Sequence, residues 1–297
     1  MSKGRKARRR RAVVDDAGEG TDRGQGGGQD PLEGLGLRPL TARSVMLSAL
    51  LGTHPPRLPV RALIRVGELF AIPEGTVRVA LSRMAADGEI TAANGTYELG
   101  PRLLERASRQ DESRAPEIRR WDGGWEMAVV TATGRQASER AALRRGMTAL
   151  RLAERREGVW LRPANLRRTQ PRPPWLDAQC TWFDGRPDAD PVELARQLWD
   201  LDGWAERARA LRVALEALAS VGSADPAGPA RDAPAGLADG FVLSAAVLRH
   251  LLSDPLLPEE LLPPDWPGAD LRERYEAFDA EYRARLRDYT RASVATA

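Results

Sequence analysis

Apolar residues begin to recur with helical spacing only near residue 39. Thr41 stands where a helix cap belongs, ahead of Val45, Leu47 and Leu50, and Gly52 marks the stop. Pro55, Pro56 and Pro59 break the chain, and a second helix is predicted over 60–70. Pro73, whose fixed φ suits a helix start, opens a third over 74–87 that ends at Gly88. Residues 90–99 then read as two strands around Asn94-Gly95, the dipeptide that favours a type I′ hairpin turn. Three helices followed by a hairpin is the order of a winged helix-turn-helix.

A different texture follows the polar stretch 108–117. Met127 and Val129 predict a short strand, 135–150 a helix and 158–161 another strand. Cys180 and Trp182 predict a further edge strand after an Arg- and Pro-rich loop at 167–174. This mixture points to a small α+β layer. From Asp190 onward the pattern is helical: Leu194, Leu198 and Leu201 are expected to share a face, as are Leu211, Leu215 and Leu218. Residues 221–236 are rich in Gly, Pro, Ala and Asp and predict an internal loop. Phe241, Ala245, Leu248 and Leu252 recur at helical spacing. So do Leu271, Tyr275, Phe278, Tyr282, Leu286 and Tyr289, as an amphipathic stripe that suits a core or an interface.

Composition narrows the function classes. The chain has 297 residues, enough for two or three domains. The net charge of +3, from 45 Lys+Arg and 42 Asp+Glu, points to no partner by itself. Its distribution does, because Lys3, Arg5, Lys6, Arg8, Arg9, Arg10 and Arg11 form a block without an acid, which suits phosphates or solvent. Gly-rich residues follow, and 1–38 is expected to stay disordered for want of apolar surface. No apolar run follows the basic block as a secretory signal requires. None reaches the roughly 18 residues of a membrane span. A cytoplasmic protein without membrane contact is therefore expected. Cys180 is the single cysteine, and His54 and His250 are the only histidines. That leaves no intramolecular disulfide, no cysteine-rich zinc site and no credible nucleophile–histidine pair. No metal, cofactor or catalytic residue is predicted.

The third helix carries the chemistry. At about 100° per residue, Val77, Ala80, Leu81 and Met84 fall on one side and should pack inward. The other side presents Gly75, Val79, Ser82 and Ala86, flanked by Thr76, Arg78 and Arg83. Small residues at the centre let such a helix approach a major groove, and an arginine matches the guanine edge with two parallel N–H groups. Thr76, Arg78, Val79, Ser82 and Arg83 are therefore the candidate DNA contacts. An ordinary solvated face explains the same arginines taken alone; the preceding helices and the Asn-Gly hairpin favour DNA. Residues 91–96 contain no Lys or Arg, so a charged wing tip in the minor groove is not expected.

These segments together resemble the PaaX family of phenylacetate-degradation repressors. The resemblance is carried by Thr41-Ala-Arg-Ser-Val-Met-Leu47, Thr76-Val-Arg-Val-Ala-Leu-Ser-Arg-Met84 with Asp87-Gly88, and Trp121-Asp-Gly-Gly-Trp125. It continues through Gly158-Val-Trp-Leu-Arg-Pro163, Asp254-Pro-Leu-Leu-Pro258 and Leu262-Pro-Pro-Asp-Trp266. It implies a multidomain α+β chain: a winged helix at 39–109, a ferredoxin-like central domain at 117–188 and a helical effector or dimerisation domain at 189–297. It also implies a homodimeric repressor on double-stranded operator DNA, released by an aryl-acyl-CoA such as phenylacetyl-CoA. The effector's contact residues are unassigned; Trp175, Trp182, Trp199, Trp204 and Trp266 could stack on it or simply fill cores. Two alternatives stand beside this reading. One is a winged-helix DNA-binding protein without an effector. The other is a metal-dependent nuclease of the ferredoxin-like kind, which needs an acid where this chain has Thr131-Ala-Thr133.

Overall fold

The computed structural model describes residues 32, 35, 40–167, 171–220 and 234–291, all within one compact unit, 31–297. Helix α1 (Ala42–Leu51) starts where Thr41 Oγ1 accepts from the Ser44 amide at 3.2 Å, and it ends at Gly52. Strand β1 (Arg57–Pro59), α2 (Val60–Glu68), α3 (Glu74–Ala86), β2 (Ile90–Ala93) and β3 (Thr96–Leu99) follow. Asn94 and Gly95 have φ of 50° and 71°, the left-handed pair that a type I′ turn needs. The three strands lie antiparallel in the order β1-β3-β2. Val45, Leu50, Leu63, Val77, Leu81 and Ile90 close the core between helices and sheet.

Three expectations for this half are corrected. The prolines at 55–59 do break the helical run, but Arg57–Pro59 then pairs with Thr96–Glu98 as a third strand. The polar stretch 108–117, for which no element is predicted, is helical as far as Arg114. It continues α4 (Pro101–Arg114), whose Leu103 and Ala107 pack on the core that α1, α2 and α3 share while Gln110 and Ser113 are buried. Within the tail expected to bury nothing, Leu35 is buried against α8 (Leu201–Ser220), where Arg207 Nη2 donates to its carbonyl at 2.6 Å. Leucines three apart at 32 and 35 supply apolar surface near the end of the tail. The basic block itself lies outside the described residues.

The central part runs β4 (Trp125–Val130), α5 (Ala137–Ala149), β5 (Ala153–Arg156), β6 (Val159–Pro163), α6 (Pro174–Asp177) and β7 (Cys180–Gly185). All pairs are antiparallel, in the order β5-β6-β4-β7. This is the βαββαβ order of a ferredoxin-like sheet, with its second helix reduced to one turn. Strand β5 was not expected: its sequence Ala-Glu-Arg-Arg buries only Ala153, and its register with β6 shifts between Glu154 and Arg156. One face of the sheet puts Ala128, Trp160 and Cys180 against Leu143, Met147 and Leu176. The other puts Trp125 and Leu161 against Leu194, Ala195, Leu201, Leu257 and Leu261.

The last part contains α7 (Pro191–Leu198), α8, α9 (Pro234–Leu252) and α10 (Gly268–Arg291). Leu194, Leu198 and Leu201 do not share one helix, because Trp199 is extended and Leu201 opens α8. The loop expected at 221–236 falls mostly outside the described residues, and α9 already covers 234–236. The stripe on α10 is consumed within the chain. Leu271 and Tyr275 pack with α8 and α9, whereas Tyr282, Leu286 and Tyr289 join the core shared by α1, α2, α3 and the start of α9, and Phe278 borders both. Among the described residues no helix is long and apolar enough to cross a membrane.

Candidate nucleic-acid interface

Helix α3 is held from behind. Val77, Leu81 and Met84 are fully buried against α1 and α2. At Gly67 of α2 the two helices approach so closely that a Cβ would sit 2.6 Å from Val77 Cγ2. This fixes which face of α3 turns outward. Thr76, Arg78, Val79, Ser82 and Arg83 are all exposed on it, and Val79 shows half of its surface, so the structure brings the five predicted residues onto one face. Arg78 is not idle in the free protein: its Nε donates to Glu74 Oε1 at 2.7 Å, one helical turn back. Glu74 itself sits in the first turn, where a carboxylate favours the helix dipole. Arg83 has no ion-pair partner among the described residues.

The surroundings add cations that the hairpin lacks. Arg57 on β1 is 62% exposed and stands 3.9 Å from Glu98 on β3, so the sheet carries a guanidinium although residues 91–96 do not. Arg61, exposed in the first turn of α2, is another. Sequence reasoning missed Arg57 because it missed β1; three residues among prolines give no periodicity, and only pairing with β3 makes them a strand. Arg43 of α1 bonds Glu89 just beyond α3, tying the helix's end to the unit's first element.

The residues considered for an effector fall in two places: Trp199 and Trp266 border one core cluster, with Trp204 stacked on Trp266, while Trp175 and Trp182 lie elsewhere. Trp175 packs on Gly146 of α5, and Trp182 lies under Arg172, 4.2 Å from its ring centre, on the same side of the central sheet. Trp199 packs on the opposite side. Trp204 is sandwiched between His250 and Trp266, with centroids 4.4 and 4.5 Å away. Thr131, at the end of β4, donates its amide to Gln179 O at 3.0 Å and has no acid in the place a nuclease would use. Among the described residues no group of three or more His, Cys, Asp or Glu is placed to hold a metal.

A helical unit with an exposed polar face on α3, a ferredoxin-like middle and a helical end make a three-part α+β architecture. Three family models match the chain in that order. They are PaaX-like protein over 41–103, PaaX protein central Cas2-like domain over 118–171 and PaaX-like protein C-terminal domain over 199–292. The chain belongs to the PaaX family, whose members bind DNA and regulate transcription of phenylacetate catabolism. It is similar to a solved structure described as uncharacterized protein Rv0674 from Mycobacterium tuberculosis. The two are 42% identical over 84% of this chain and 98% of that one, with a TM-score of 0.60. No curated protein matches the chain.

Proposed function

We propose that the chain represses a catabolic operon by binding operator DNA as a homodimer, and leaves it when an acyl-CoA thioester such as phenylacetyl-CoA binds. The observation that carries the DNA half is the polarity of α3: Val77, Leu81 and Met84 are buried while Thr76, Arg78, Val79, Ser82 and Arg83 are exposed opposite them. Helix α3 is the reading helix of a winged helix spanning about 39–109. It enters the major groove, with Arg78 and Ser82 at base edges and Arg83 at a phosphate. Arg57 and Arg61 supply flanking phosphate contacts, which position the protein without reading sequence. One such unit touches few base pairs, so two-fold pairing through residues beyond 117 is needed for a half-site spacing of about one helical turn or a multiple of it.

The effector half rests on family membership and on the amount of chain beyond the reading unit. A gel shift tests both halves, using the DNA upstream of the protein's own gene with and without acyl-CoA thioesters. The expected result is a retarded band that phenylacetyl-CoA or a related thioester releases. A band that no thioester releases removes the effector and leaves a DNA-binding protein without one; no band on any upstream fragment removes the operator reading.

A further inference from the structure

A cavity of about 80 Å³ lies where the reading unit meets the helical end of the chain. Its walls come from α1, α4, α9 and α10, elements up to 238 residues apart in sequence between Ser48 and Leu286. Leu51, Phe241 and Leu248 give it a buried apolar floor. Its polar side is unusual because cations there lack anions. Asp279 lines the cavity, but Arg114 and Arg283 both reach its Oδ2 at 2.8 Å, so that charge is already matched. Arg106 and Arg249 also line it, and among the described residues neither has an ion pair or a side-chain hydrogen bond.

Arg106 is half-buried, and burial followed by the charges of Arg109, Arg249 and Arg43 lowers its proton affinity. A guanidinium keeps its proton under such stress, so Arg106 stays a half-buried cation without a counter-charge, beside the exposed Arg249. One further polar group lines the same space without a partner. Gln110 is 4% exposed, and its side-chain amide has no hydrogen bond among the described residues. A polar side chain left unpaired there is costly, and a ligand oxygen would satisfy it.

We propose that this cavity is a ligand site for an organic anion with a short apolar body. The anionic group meets Arg106 and Arg249, Gln110 bonds an adjoining oxygen, and the apolar body lies on Leu51, Phe241 and Leu248. Space of about 80 Å³ is two or three times the roughly 30 Å³ of a water and well under the roughly 150 Å³ that accepts a benzene ring. A short acyl chain enters as the helices stand; a ring needs α1 and α4 to draw away from α9 and α10. Because α1 and α3 share one core, that displacement moves the outward face of α3. The inference rests on the reading of α3 as the DNA-contacting helix, and it assigns the regulation proposed above to a place.

The test uses the full chain and calorimetric titration with butyrate, butyryl-CoA, phenylacetyl-CoA, coenzyme A alone and 1-butanol. At least one of the acyl anions should bind saturably, while butanol and coenzyme A bind at least about tenfold more weakly, as loss of a charged hydrogen bond or of the apolar body implies. Butyrate against butyryl-CoA tells whether the anion stands beside the apolar body, as a carboxylate does, or lies outside the cavity on the phosphates at the far end of the pantetheine arm. Arg106→Gln and Arg249→Gln should each weaken binding about tenfold or more. Ala245→Leu, which fills the cavity without touching either charge, should abolish binding. Should Ala245→Leu fail to fold, the two arginine variants decide alone, with native urea midpoints as the control. Operator DNA should weaken the ligand by roughly 5–150-fold. The proposal is overturned if none of the acyl anions binds, or if binding is equal in both arginine variants and wild type. Operator binding without any acyl-anion binding leaves the DNA reading intact and removes the site. Arginine-dependent ligand binding without operator binding does the reverse.

Discussion

Arg114 of α4 donates to Asp279 of α10 at 2.8 Å, and the Asp279 side chain is 4% exposed. The same guanidinium holds Glu276 at 2.6 Å, and Tyr275 O–H donates to Asp279 at 3.1 Å. The carboxylates hold the Arg114 proton more tightly than usual despite burial. This cluster fastens α4 to α10.

Removing one partner of a buried pair leaves an uncompensated charge. Arg114→Met should therefore destabilise the protein toward the low end of roughly 3–5 kcal/mol, because Arg283 still faces Asp279. The double variant Arg114→Met/Asp279→Leu should lose less than the single one. Urea midpoints at an unchanged slope check this, and a double variant that loses the sum of both singles would remove the pair from the account.

His250 gives a pH dependence. Burial pushes its pKa down to about 4, only partly opposed by the bond its Nε2 makes to Trp204 O at 3.0 Å. The unfolded chain takes that proton near 6.5. Between these values the unfolded state binds more protons, so stability rises with pH there. The stabilising neutral form is fully effective above about 6.5 and its contribution is lost as pH falls toward 4. His250→Gln should therefore show a smaller loss of urea midpoint from pH 7 to pH 5 than wild type. An equal loss in both proteins would assign the slope to carboxylates elsewhere.

The parts of this fold legible in the sequence are those with local chemical causes. Pro73 and Gly88, the latter at φ 70°, bracket α3 because each permits what other residues resist. Asn94-Gly95 fixes the hairpin for the same reason. Strand β1 was hidden because Arg57–Pro59 has no pattern of its own and depends on a partner some 40 residues away. The end of α4 was hidden because its buried positions, Gln110 and Ser113, are polar. Periodicity correctly put Tyr275, Phe278, Tyr282 and Tyr289 on one face, but a period names a face and not its partner. Here the last three pack on α9 as well as on the core of α1, α2 and α3. The outward set on α3 was likewise readable, whereas the Arg106–Arg249 cavity needs tertiary structure to exist.

Gly67 tests how firmly α3 is seated. Replacing a helical glycine by alanine ordinarily stabilises a helix by up to about 1 kcal/mol, less near an end, and Gly67 is the next-to-last residue of α2. Here the new methyl would meet Val77 Cγ2 at 2.6 Å, with Ile72 O at 3.6 Å behind it. Overpacking of that kind costs roughly 1–3 kcal/mol, so Gly67→Ala should be destabilising on balance and should shift α3. Operator affinity should fall with it, and the paired change Gly67→Ala/Val77→Ala should recover part of both losses. Gly67→Ala with unchanged or raised stability would show that α2 and α3 can separate freely.

Arg78 and Glu74 make the sharpest test of the reading helix. Their 2.7 Å pair is more than half exposed at both ends, so it holds Arg78 by no more than about 1 kcal/mol. Arg78 must leave Glu74 to reach a base, and the freed carboxylate then stands near phosphates of its own sign. Glu74→Gln should therefore tighten operator binding up to about fivefold, at a small loss of helix stability because a favourable charge leaves the first turn. Arg78→Ala should weaken specific binding by about 1–3 kcal/mol if Arg78 takes a guanine edge. Measured on random DNA, the same variant should lose much less. The combination separates the readings: with Arg78 as the base contact, most of the gain from Glu74→Gln disappears in the Arg78→Ala background. A gain of equal size in both backgrounds would mean that Glu74 acts only by repelling phosphate, and Arg78 would leave the site.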